Sequence, residues 1–186
     1  MFGGLFKKKP ARAPEQPPVS TEPLTLASDN LVMMVGFTTR RAIERRLGPA
    51  VEYPAPGWKT WAAAGLRGEV WILSAIYRGQ VLIGIEHYLA KTENLPRHTP
   101  PANGIFKIQP GDIGIGKPVT ALGPRFVSAA GKEGGVRSIV FQHAYQARWP
   151  HGVGIISGNN GRVERIALYA NNEMPTLPVL PATDQG

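Results

Sequence analysis

VWILSAIYRGQVLIGIEHY, residues 70–88, is the stretch whose reading decides the fold. Two apolar, β-branched runs flank Arg78-Gly79-Gln80, a short glycine-containing connection. That pattern predicts an antiparallel hairpin buried on at least one face. A second unit of the same kind stands near the other end of the chain. Val153-Gly154-Ile155-Ile156-Ser157 runs into Gly158-Asn159-Asn160-Gly161, and Arg162 to Tyr169 returns. Glycine and asparagine there supply the positive φ that a tight turn demands.

Working outward from the first hairpin, the clearest helix signal lies upstream. Thr38 is placed to cap a helix over residues 39–47, with Ala42, Ile43 and Leu47 on one stripe and Arg40, Arg41, Arg45 and Arg46 on the remaining sides. Gly48-Pro49 ends it. Downstream, Leu122-Gly123-Pro124 repeats the Leu47-Gly48-Pro49 ending, and Pro118 suits the first turn of a second short helix. The expected architecture is therefore α+β: an antiparallel sheet with short helices, arranged as two tandem helix-hairpin repeats.

Proline and glycine punctuate the segments. Residues 1–27 read as a Pro/Lys-rich arm without regular structure, and 28–90 as the first helix-plus-hairpin lobe. Residues 91–110 read as a linker with a short strand near 105–108, 111–170 as the second lobe, and 171–186 as a Pro-rich tail. Further strands are expected at 31–35, 137–141 and 144–149.

Composition narrows the chemistry. Hydrophobic residues make up 42% and charged residues 18%, which excludes a polyelectrolyte, while 22 Gly and 18 Pro favour many turns over long helices. There is no cysteine, so disulfides, thiolate metal sites and a cysteine nucleophile are excluded. The net charge of +8 is spread out, with local excesses at Lys7, Lys8, Lys9 and Arg12 and at the four arginines of the helix. No apolar run reaches the roughly 18–20 residues of a spanning helix, and the expectation is a cytoplasmic protein.

Gly111-Asp112-Ile113-Gly114-Ile115-Gly116-Lys117 matches the letters of a phosphate-binding loop. Pro118, however, replaces the hydroxyl residue that would hold Mg²⁺ and removes a backbone N–H from the cradle. The histidines, His87, His98, His143 and His151, have no close metal-ligand spacing, although His143 and His151 would converge with His87 if the hairpins lay side by side. Ser74, Ser128, Ser138 and Ser157 sit in no nucleophile-elbow context. With no catalytic residues, metal ligands or cofactor motif assembled, the chain reads as a non-enzymatic protein.

Short helices ending in Leu47-Gly48-Pro49 and Leu122-Gly123-Pro124, each followed by antiparallel strands, resemble the β-lactamase-inhibitor-like fold shared with small outer-membrane assembly lipoproteins of the SmpA/OmlA type. That resemblance spans residues 36–170 and implies a concave sheet that grips another protein. The expected function is thus a protein-binding module of the immunity, inhibitor or adaptor type, with Trp58, Trp61, Tyr145, Arg148 and Trp149 as aromatic and arginine anchors. The alternative is an anion-directed protein that binds nucleic acid or a membrane surface through Arg40, Arg41, Arg45 and Arg46 and the basic arm.

Overall fold

The computed structural model describes residues 18–63, 70–90, 95–128 and 143–171. The quoted stretch folds as the expected hairpin. In chain order, β1 (Thr25–Ser28) and β2 (Leu31–Met33) lead to α1 (Arg40–Leu47), β3 (Val51–Glu52) and β4 (Trp58–Ala63). The hairpin follows as β5 (Val70–Arg78) and β6 (Val81–Ala90). Next come β7 (Pro101–Ala102), β8 (Lys107–Gln109), β9 (Ile113–Gly114) and a 3₁₀ turn at Val119–Ala121. The chain closes with β10 (Val127–Ser128), β11 (His143–Trp149), β12 (Gly152–Asn159) and β13 (Arg162–Ala170).

These strands build two sheets. The larger has the order β10-β11-β12-β13-β6-β5-β4-β3, with β7 added parallel to β4, and the smaller has the order β2-β1-β8-β9. The two long hairpins meet through β6 and β13, so residues from both ends of the sequence share one sheet, with Ile85 opposite Leu168 and Glu86 opposite Ala167. Both edges of that sheet are blunted. β3 and β7 cover β4, while β10 and the backbone at Val19 and Ser20 cover β11. Short capping segments of this kind protect a sheet from pairing with other chains.

Strand alternation assigns the two faces. Trp61, Leu73, Ala75, Ile85, Ile156, Ile166 and Leu168 pack with Leu26, Met33, Ile108 and Ile113 of the smaller sheet and with Ile43 of α1 in one core. The opposite face carries a second cluster of Trp58, Val153, Ala167 and Tyr169. Close packing of the main core around Trp149 needs a glycine. A Cβ on Gly152 would lie 2.5 Å from the Trp149 ring at Cε2 and 2.8 Å from the Tyr169 carbonyl oxygen.

The helix starts one residue later than the sequence suggests. Thr39 is the N-cap, its hydroxyl accepting from the Ala42 N–H at 3.3 Å, while the Thr38 hydroxyl instead accepts from the Met34 N–H at 2.8 Å. Ile43 is buried as expected, Leu47 is half-buried, and Ala42 is exposed. Gly48 ends the helix at φ 78°, a left-handed conformation that costs glycine little. The second expected helix is only the 3₁₀ turn, because Gly123 and Pro124 follow too soon for α-helical hydrogen bonds to form.

Other boundaries differ from the sequence reading. β1 lies partly inside the expected arm, because Leu24 and Leu26 belong to the core. Within the expected linker, the short strand foreseen near 105–108 is present as β8, whereas β7 at Pro101–Ala102 was not foreseen, and the two join different sheets. The expected strand at 137–141, most of the arm and the tail beyond 171 lie outside the described residues.

Candidate functional site

The five expected anchors do not assemble into one outward patch. Trp58, Trp61 and Trp149 are 3%, 0% and 2% exposed, so as folded they fill the cores. Trp61 also donates its indole N–H to the Gly48 carbonyl at 3.0 Å, tying β4 to the end of α1. Arg148 is exposed and Tyr145 is half-buried against the main core. An odd separation along one strand sends their side chains to opposite faces. Aromatics between prolines looked like recognition residues in the sequence; burial assigns the tryptophans a packing role.

Three of the four arginines do come together. α1 is stitched to the β5–β6 turn by backbone hydrogen bonds from Arg40 N–H to Gln80 O, Gly36 N–H to Leu82 O and Leu82 N–H to Thr38 O, each 2.8 Å long. This places the helix beside the turn at one end of the larger sheet. Arg40, Arg41 and Arg45 line a shallow, open depression of about 500 Å³ with Glu44, Pro49 and Gln80. Arg40 is ion-paired with Glu44 at 2.8 Å. Arg41, Arg45 and Arg46 are exposed and form no ion pair among the described residues. Glu52 belongs to the same neighbourhood, and Lys59, which donates to it at 2.8 Å, is the main reason its carboxyl is held below the usual range. What remains is a local excess of guanidinium groups whose fork of donors suits phosphate or carboxylate oxygens.

Sequence reasoning missed two parts of this end. Gln80 reaches the arginines only through the docking of the helix on the hairpin turn, which no local pattern announces. Phe37, 59% exposed, precedes the capping threonines and meets the His151 ring edge-on at 6.0 Å. A large apolar residue inside a polar turn was the available signal.

A second polar group lies on the face opposite the main core. Thr60, Ser74 and Glu86 sit side by side on β4, β5 and β6. The Thr60 and Ser74 hydroxyls are 2.6 Å apart. Arg165 donates to Glu86 at 2.7 Å, Tyr169 donates to the same carboxylate oxygen, and the Arg165 guanidinium lies 5.9 Å from the centre of the Tyr88 ring. Burial pushes the Glu86 carboxyl up, opposed by Arg165. His87, on the other face, is bonded to the Ile72 carbonyl at 2.8 Å, and burial lowers it to about 4. It therefore holds a neutral ring between Trp71 and Phe106.

Among the described side chains, which exclude His143 and Ser138, the remaining sequence candidates do not converge. Gly111 to Lys117 forms the turn around β9, with positive φ at Gly111, Asp112 and Gly116, and leads to the 3₁₀ turn in place of a phosphate-binding helix. His87 is buried, whereas His98 and His151 are exposed. Among the described residues no group of three or more His, Asp or Glu side chains is arranged to hold a metal ion, and no helix is long and apolar enough to cross a membrane. No family model, no curated protein and no solved structure matches this chain.

Proposed function

We propose that this protein is a non-enzymatic binding module that docks onto a polyanionic partner through the exposed arginine face of α1. The carrying observation is a comparison inside the chain. Arg40 N–H bonds Gln80 O at the start of α1, and Val119 N–H bonds Gly161 O at the start of the 3₁₀ turn, each at 2.8 Å. Gly36 N–H to Leu82 O is matched by Gly116 N–H to Val163 O, and Leu82 N–H to Thr38 O by Val163 N–H to Lys117 O. The bridge of Thr39 with Val81 is matched by that of Pro118 with Arg162. Both hairpins shift register at equivalent points, after Ile76 and after Ser157.

These matches, with strand orders that mirror each other about β6–β13 and β1–β8, support a tandem duplication of one helix-hairpin unit. Within that reading the second half builds the same junction with Val119, Thr120 and Ala121 and reaches its Leu122-Gly123-Pro124 four residues sooner. The junction therefore needs neither the extra helical turn nor its arginines. Their concentration on one copy is better explained by a partner than by folding.

The test is retention on a heparin resin. The wild-type chain elutes at a salt concentration that drops sharply for Arg41→Glu with Arg45→Glu, because like-charge repulsion replaces attraction at exposed positions while the fold is unchanged by circular dichroism. A control, Arg97→Glu with Lys117→Glu, changes net charge equally at exposed sites elsewhere. Equal elution of the two double variants refutes the assignment of the site to α1.

A further inference from the structure

Three of the large apolar side chains that remain exposed cluster at the arginine end. Phe37 precedes α1, Val81 follows Gln80 and bridges Thr39, and Val19 bridges Arg148 beside the β11–β12 turn. Phe37 against His151 joins the helix end to that same turn. This end of the sheet thus presents apolar tips beside α1, whose Arg41, Arg45 and Arg46 are all exposed. The equivalent end of the other half places exposed Gly116, Lys117, Pro118 and Thr120 at this level, without an exposed aromatic among the described residues.

We infer that this end docks onto an anionic lipid bilayer, with Phe37 and Val81 entering the headgroup boundary and the α1 arginines meeting lipid phosphate and carboxylate. The inference rests on the polyanion reading and names its partner class. Exposed apolar side chains beside a cationic helix fit an interface that is apolar below and negatively charged above. A single-stranded nucleic acid of the same charge is held by several stacking aromatics along a groove. Among the described residues only Phe37 is a large exposed aromatic, and Arg40, Arg41 and Arg45 line one shallow depression on an eight-residue helix. Arginine stems also lie along apolar surface while their heads stay at the polar boundary.

The experiment is flotation of the full chain with vesicles of phosphatidylcholine alone or of phosphatidylcholine with phosphatidylserine, alongside the heparin assay. The expected result is binding to the anionic vesicles only. Arg41→Glu with Arg45→Glu weakens it about tenfold or more, and Phe37→Ser with Val81→Thr weakens vesicle binding several-fold while leaving heparin retention unchanged. A chain lacking residues 1–17 keeps the same dependence on Phe37 and the arginines.

Because the chain has no cysteine, Phe37→Cys and, as a control in the 3₁₀ turn, Thr120→Cys accept a single environment-sensitive dye. Emission shifts to the blue with anionic vesicles only for the label at 37. Heparin retention without vesicle binding overturns the bilayer proposal while leaving the polyanion reading intact. Loss of both assays in the wild type overturns both readings. Vesicle binding that ignores Phe37 and Val81, that disappears with residues 1–17, or that shifts the label at 120 equally, overturns the proposed docking face.

Discussion

Replacing Arg165 by Met would leave the Glu86 carboxylate inside the protein without its counter-charge. The two side chains are 11% and 6% exposed, so water cannot take over the role of the guanidinium. Removing one member of such a buried pair costs about 3–5 kcal/mol. In a domain of this size that lowers Tm by roughly 6–20 °C. The pH dependence carries the sign. Burial raises the Glu86 carboxyl in the folded state above its unfolded value, so folding favours the protonated form. Stability contributed by this group is full below the unfolded value near 4.5 and declines as pH rises through the folded value.

Loss of Arg165 removes the main influence opposing burial, moves the folded value further up, and deepens the decline at neutral pH. Urea unfolding of the wild type, Arg165→Met, Glu86→Gln and the double variant at acidic and neutral pH measures this directly. The expected outcome is a large loss for Arg165→Met at pH 7, a smaller one near pH 4.5, and partial recovery in the double variant, since a neutral amide tolerates burial better. A loss under about 1 kcal/mol at pH 7, or one that does not change with pH, would refute the reasoning.

His87 gives the opposite slope from the other face of the same strand. Its folded value near 4 lies below the ordinary 6.5, so stability is full above 6.5 and falls by about 3 kcal/mol on acidification to 4; His87→Leu should abolish that acid-side loss in a pH series of denaturant midpoints. Trp61→Ala empties a fully buried site and removes the bond to Gly48, so chemical denaturation should show a loss of about 3–5 kcal/mol. Gly152→Ala drives a Cβ into Trp149 and the Tyr169 carbonyl, and thermal unfolding should report a loss of about 1–3 kcal/mol. Unchanged stability in Trp61→Ala or Gly152→Ala, or an acid-side loss that persists in His87→Leu, would show that the relevant contact is absent in solution.

The antiparallel frame was legible because it rests on local signals. Alternating apolar runs around Gly79 and around Asn160-Gly161 marked both hairpins, and Gly48-Pro49 marked the end of α1. The pairing of β6 with β13 was not legible, since each strand carries an apolar pattern that any neighbour would satisfy. The tryptophans misled for a related reason: Trp58 and Trp61 lie among turn-forming residues, but β4 is an inner strand, and three-dimensional coverage rather than local composition decides exposure. The arginines were visible as a charged helix, whereas the depression they line depends on Gln80, whose position is fixed by tertiary docking. Glu86 and Arg165 stand far apart in sequence, and only strand register brings them together.

The β6–β13 seam also has a consequence for synthesis. β6 is complete at Ala90, while β13 begins at Arg162, so about seventy residues must leave the ribosome before the partner strand exists. At roughly 5–20 residues per second that interval lasts about 4–14 seconds. Throughout it the nascent chain presents the raw flank of a long apolar hairpin, the kind of surface that holdase chaperones engage. Codon choice across residues 91–161 thereby becomes a handle on yield: faster decoding there shortens the exposure without altering a single side chain.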